Sequence, residues 1–211
     1  MTTAAQADPV NNFRSWLGVN GFSTNATTNL WYGTTGVNGP LMGVSGTAWV
    51  TPTDSINTPL FSGLLEIGDN NGAAGPATFP GTFVHPGPSQ PAVLVYAPQT
   101  STPVSIVELH AELVTNGLTG NGLTIDVYST INSLTSHHGG IVVAGNANAF
   151  HTPIPVGSLI LNPGDTLKVV IGNNGSYLFD HLNLDVTLTL PEPASAVLLM
   201  LPLGLSVMRR R

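Results

Sequence analysis

The chain has 211 residues, and only 8% are Asp, Glu, Lys or Arg, against about 25% in ordinary soluble domains; that length fits one domain with appendages and is ample for a hydrophobic core without metal or disulfide staples. Of its five basic residues only Arg14 and Lys168 precede residue 191, where ten acids lie, so the body carries 2 − 10 = −8, which excludes a row of phosphates, and hence nucleic acid, as a partner. The absence of cysteine excludes a disulfide framework, thiol catalysis and cysteine-ligated metal.

Taken in chain order, residues 1–7 end in Ala5-Gln6-Ala7 before Asp8-Pro9, the small-x-small pattern of a signal-peptide cleavage site. They are expected to be the remnant of an export signal whose start lies upstream, the alternative being a chance Ala-x-Ala. Residues 8–46 are rich in Asn, Thr and Gly, with Phe13, Trp16, Leu17, Phe22, Trp31 and Tyr32 scattered among turn pairs such as Asn20-Gly21 and Asn38-Gly39. Short strands are expected near Trp31 and over 47–51, a longer one over 61–67, and two short ones over 82–85 and 92–97. The second half alternates more plainly. Val107, Leu109, Ala111 and Leu113 share one face against Glu108, His110 and Glu112. Leu123, Ile125 and Val127 alternate with Thr124, Asp126 and Tyr128. Leu182 to Leu190 alternates over nine residues, a period of two that marks half-buried strands. Further strands are expected over 141–144, 158–161, 166–171 and 177–179, with turns at Asn116-Gly117, Asn121-Gly122, Pro163-Gly164-Asp165 and Asn174-Gly175. Short strands at this spacing, with 24 Gly and 17 Pro, predict an all-β, jelly-roll-like β-sandwich over 8–190.

No constellation for catalysis stands out. Glu108, His110 and Glu112 at i, i+2, i+4 put two carboxylates beside an imidazole, a pattern that serves metal binding or acid–base chemistry and that a solvated strand face produces as well. His137-His138-Gly139-Gly140 falls in an expected loop, and the six histidines show no zinc-ligand spacing. Asp69 and Asn71, in Asp69-Asn70-Asn71-Gly72, offer oxygens to calcium without the later glutamate of a complete calcium loop; Asp165 and Asp180, near strand ends, are further calcium candidates. No Gly-x-Ser-x-Gly elbow, P-loop or Gly-x-Gly-x-x-Gly is present. No catalytic residue and no obligatory cofactor is therefore assigned. Among Trp16, Trp31, Tyr32, Trp49, Tyr96, Tyr128 and Tyr177, the pair Trp31-Tyr32 is the best platform for stacking on a sugar ring, the alternative being that tryptophans fill the core. Residues 161–166 and 173–180, with the last strand, resemble the closing strands of carbohydrate-binding-type jelly rolls, as does 121–127.

The end of the chain reads Pro191-Glu192-Pro193, then an uncharged run from Ala194 to Met208, then Arg209-Arg210-Arg211. As a short apolar helix the run would span about 22 Å, less than a permanent membrane crossing needs, and the arginines would stay on the cytoplasmic side. Tripeptide, apolar run and basic tail together resemble the PEP-CTERM sorting signal of Gram-negative bacteria. That resemblance implies export and transient inner-membrane insertion through 191–211. It further implies cleavage near Pro191-Glu192-Pro193 by an exosortase-type membrane protease and delivery to the envelope, outer surface or extracellular matrix. The expected role is a non-enzymatic exported surface or matrix protein. The alternative is a module binding exopolysaccharide, and an envelope hydrolase comes third.

Overall fold

A computed structural model of the chain describes residues 12–20, 30–45, 48–50, 66–69, 82–87, 90–113, 121–144, 150–175 and 182–189. The expected segments 1–7 and 191–211, with the apolar C-terminal helix, lie outside these residues. In chain order the elements are α1 (Phe13–Asn20), β1 (Trp31–Thr35), β2 (Gly43–Ser45), β3 (Ala48–Val50), β4 (Glu66–Asp69), β5 (Thr82–His85), β6 (Ala92–Tyr96), β7 (Thr102–Leu113), β8 (Leu123–Ile131), β9 (Leu134–Val143), β10 (Phe150–Leu161), β11 (Thr166–Asn173) and β12 (Leu182–Thr189). The strands form two antiparallel sheets, β1-β6-β11-β8-β9 and β10-β7-β12-β5-β4-β3-β2. The expected all-β sandwich is the observed fold. From β5 onward the chain changes sheet at every connection except the β8–β9 hairpin, and the sets β10-β7-β12-β5 and β6-β11-β8-β9 have jelly-roll strand order.

Period two in the sequence becomes two faces in the sheet, because successive side chains leave a strand on opposite sides. In the five-stranded sheet, Gly33, Leu94, Val169 and Val127 are register neighbours on the inner face, with Tyr96, Leu167 and Ser129 one step along. Facing them from the other sheet are Val107, Leu109 and Ala111 of β7 and Leu182, Leu184, Val186 and Leu188 of β12, all buried. Each fully buried Leu, Ile or Val contributes about 1.5–3 kcal/mol relative to exposure, so these rows hold the two layers together. Aromatic packing adds to the core: Phe13 of α1 lies 5.3 Å from Trp31, and Trp31 lies 4.9 Å from Tyr96, ring centre to ring centre.

Several local expectations are corrected. Helix α1 departs from the all-strand expectation: Phe13, Trp16 and Leu17 stand at helical i, i+3, i+4 spacing, and Asn12 caps the helix, accepting the Ser15 amide at Oδ1 (2.8 Å). His137 and His138 lie on strand β9 rather than in a loop. A bulge between Val127 and Tyr128 of β8 and the facing residues of β9 breaks the alternation there, and β9 is an edge strand with little apolar pattern to display. Strand β10 extends well upstream of residue 158 through Pro153 and Pro155, which an edge strand tolerates because half its backbone groups need no partner. The turn at Asn162-Pro163-Gly164-Asp165, closed by the Asp165 amide on the Asn162 carbonyl (2.9 Å) with Gly164 at φ 98°, joins strands of different sheets and makes no hairpin. A tight hairpin in the second half of the chain is instead β8–β9, turned by Asn132 (φ 50°) and Ser133 (φ 66°). Of the strand expected over 61–67 only its end, in β4, is described, and 177–179 lies outside the described residues.

Candidate functional site

The outer face of the five-stranded sheet carries a cross-strand row contributed by five strands in register: Tyr32, Val95, Lys168, Tyr128 and His137. Its inner half is covered. Val93, Val95 and Val170 form a buried apolar patch with Tyr32, Val37 and Tyr128 packed around it. The loop after β1 folds back through a Thr34–Leu41 bridge and is tied down by the Lys168 ammonium, which donates to the Val37 carbonyl at 2.6 Å and to Asn38 Oδ1 at 3.1 Å. Burial lowers the pKa of that ammonium and raises that of the Tyr32 phenol.

Beyond Lys168 the face is open. Tyr128 and His137 pack at 4.7 Å with planes 36° apart, and the His137 imidazole, 49% exposed, meets Asp126 Oδ1 at 2.9 Å. Thr130 and Thr135 share a hydroxyl–hydroxyl bond at 3.0 Å on the same face. Asp126 keeps its place because Gly140 stands opposite: a β-carbon there would come within 2.6 Å of the Ile125 carbonyl and collide with the Asp126 carboxylate. The groups on this patch all come from the paired strands β8 and β9, which lie roughly 4.8 Å apart. The patch presents aromatic faces, one carboxylate and several hydroxyls. Next to His137, the bulged His138 turns the other way and bonds Ser129 Oγ at 2.8 Å. Ser129 is 2% exposed, so this contact fastens β9 to β8 instead of presenting a nucleophile. Burial first, and the neighbouring His137 second, lower the His138 pKa.

On the opposite side of the sandwich, the outer face of the seven-stranded sheet gathers polar groups from three strands. His151, His110 and Asp185 are register neighbours across β10, β7 and β12, and Glu108 and Thr187 are neighbours one step along. Glu108 Oε2 lies 3.3 Å from His151 Nε2, and its Oε1 accepts from the Thr189 hydroxyl at 3.1 Å. Asn12, the cap of α1, donates to both Asp185 oxygens (3.1 and 2.9 Å) and approaches Thr187 Oγ1 at 2.8 Å. Sequence spacing placed Glu108 and His110 on one face. It could not show His151 and Asp185 arriving from strands more than 40 residues away. The Glu112 side chain lies outside the described set.

The other candidates fare unequally. Trp31 is 1% exposed, with Phe13 and Tyr96 against it, so it has no face to offer a sugar; Tyr32 is half-buried at the rim of the valine patch. Trp16 and Tyr96 are also interior, while the side chain of Trp49 and all of Tyr177 fall outside the described residues. Among the described residues, the aromatic that borders the open part of the sheet is Tyr128, itself half-buried at the edge of the valine patch beside the exposed His137; its alternation with Asp126 and Thr124 is the signal in the sequence. Asp165 is no open calcium ligand: its oxygens accept the amides of Asn132 (3.0 Å) and Asn162 (2.9 Å). Those two bonds hold its pKa below the usual carboxylate range. The Asp69 side chain, Asn71, Asp180, Pro191, Glu192, Pro193 and Arg209 to Arg211 lie outside the described residues.

No protein-family model matches the chain, and no curated protein does. Among solved structures it is similar to xylanase10C from Cellvibrio japonicus in complex with xylopentaose, at TM-score 0.40 and 12% identity over 81% of this chain and 29% of that one. It is similar also to CBM51 from Clostridium perfringens in complex with methyl-galactose, at TM-score 0.33 and 18% identity over 57% of this chain and 78% of that one. A third is the carbohydrate-binding module CBM36 in complex with calcium and xylotriose, at TM-score 0.34 and 12% identity over 59% of this chain and 93% of that one. The chain thus spans under a third of the xylanase chain and most of the two modules. At these identities no ligand or activity passes to this chain from them.

Proposed function

We propose that this chain is an exported, non-enzymatic β-sandwich that binds carbohydrate through the open outer face of its five-stranded sheet. The observation that carries the reading is the Tyr128–His137 ring pair with Asp126 bonded to His137 on exposed sheet. Aromatic faces pack against the CH-rich faces of sugars, and a carboxylate flanked by threonine hydroxyls supplies acceptors for sugar hydroxyls. The two acidic or hydroxyl-bearing strands are rigidly paired, so the site is preorganised and little ordering is needed on binding. Segment 191–211 is its address in this proposal: export, insertion through the apolar run, and cutting by an exosortase-type protease, leaving the sandwich at the envelope among exopolysaccharide.

A glycan array probed with the chain, with and without calcium, tests the site. Binding is expected to weaken at least tenfold, about 1.4 kcal/mol, in Tyr128→Ala and in Asp126→Asn; thermal unfolding is unchanged in Asp126→Asn, whereas Tyr128→Ala, which uncovers the valine patch that Tyr128 packs against, melts somewhat lower. A second reading, a purely structural surface protein, is favoured by the interior position of Trp16, Trp31 and Tyr96. Absence of binding to any glycan leaves that reading standing.

A further inference from the structure

We propose that His110 and His151, on the outer face of the seven-stranded sheet, bind one late first-row divalent cation such as zinc. The two histidines are direct partners in the antiparallel β7–β10 register, so their side chains leave the sheet on the same side. Their ring centres stand 6.0 Å apart. With nitrogen–zinc bonds of about 2.0–2.1 Å, two imidazoles sharing one metal have centres at most roughly 6.4 Å apart, and about 5.2 Å apart at a tetrahedral angle. The observed spacing lies inside the first limit, and a small side-chain rotation of His151, 60% exposed, reaches the second.

The surroundings select the ligating nitrogen. Glu108 is anchored by the Thr189 hydroxyl at one oxygen and takes His151 Nε2 at the other. An Nε2–H donated to that carboxylate leaves the lone pair on Nδ1, the arrangement by which an outer carboxylate orients a metal-binding histidine. Glu108 is therefore a positioning residue. Asp185, the register neighbour of His110 on β12, adds negative charge beside the site. Among the described residues no group of three or more His, Asp or Glu side chains is arranged to hold a cation; the proposed site draws two ligands from them, His110 and His151, with water in the remaining positions. Imidazole nitrogen suits zinc, copper or nickel in preference to magnesium or calcium. Occupancy would fasten the edge strand β10 to β7.

Calorimetric titration of the full-length, untagged chain with zinc chloride tests the site. One equivalent is expected to bind, with binding lost in His110→Asn and in His151→Asn, and weakened roughly tenfold or more in Glu108→Gln. All three variants lie on a sheet face, so unchanged thermal unfolding without zinc checks that they fold. No zinc uptake by the unaltered chain, or wild-type uptake by His110→Asn, overturns the site; wild-type affinity in Glu108→Gln overturns the positioning role. Glycan binding on the opposite sheet is read separately, so either proposal can fail without the other.

Discussion

Asn12 does two jobs with one amide. Its oxygen caps α1 through the Ser15 amide, and its nitrogen ties the helix to Asp185 and Thr187 of β12. A cap is worth about 1 kcal/mol, and a hydrogen bond to a charged group about 1.5–3 kcal/mol. Asn12→Ala is therefore expected to lower unfolding stability by about 2–3 kcal/mol, read as a lower denaturant midpoint with unchanged slope; a loss under 0.5 kcal/mol, on the order of an uninvolved surface change, contradicts the link. At this scale the sequence was partly legible. The residue types of the site, Asp126, Tyr128 and His137, were all in view. Which aromatic faces water was not, because burial depends on what the opposite layer and α1 put over each ring.

At the scale of elements, the β8–β9 hairpin places two non-glycine residues, Asn132 and Ser133, at positive φ. Asn tolerates that region; Ser lacks the same compensation, and left-handed backbone costs an L-residue roughly 1–2 kcal/mol. Ser133→Gly is expected to stabilise the chain by about 1 kcal/mol, seen as slower unfolding in a stopped-flow denaturant series; a destabilised variant would mean that the turn is not strained. This turn carries no glycine, so its sequence lacks the signal that Pro163-Gly164-Asp165 displays. Edge strands β9 and β10 were the hardest to read for a related reason. An edge strand can carry prolines, bulges and exposed polar residues, so its sequence loses the alternation that a central strand such as β12 must keep.

For the molecule as a whole, three perturbed groups act in the same direction with pH. Asp165 and His138 have folded pKa values below their ordinary 3.8 and 6.5, and Lys168 lies below 10.5. In each case the unfolded chain binds the proton more readily, so stability rises with pH between the folded and ordinary values. Acidification from pH 6.5 should therefore lower the melting temperature, first through His138 and below pH 4 through Asp165. Alkaline conditions should raise it through Lys168 until Tyr32, shifted upward from 10.0, opposes it above pH 10. His138→Gln is expected to flatten the profile just below pH 6.5; an unchanged slope would remove His138 as its source. The proposed processing is also a property of the whole chain. Intact mass of the envelope form is expected to lack the tail beyond Pro191-Glu192-Pro193, and a mass that retains Arg211 contradicts cleavage.

The sequence by itself determined the fold class, the acidic body with too few cations for nucleic acid, and the resemblance of residues 191–211 to a sorting signal. These are properties of local pattern: alternation follows from strand geometry, net charge is a sum, and a short motif is contiguous. Only the tertiary structure decided that Trp31 belongs to the core while Tyr128 and His137 share an open face, and that His151 and Asp185 join Glu108 and His110. Those outcomes rest on register and layer order, which bring together residues far apart in the chain, and no local pattern records which strands become neighbours.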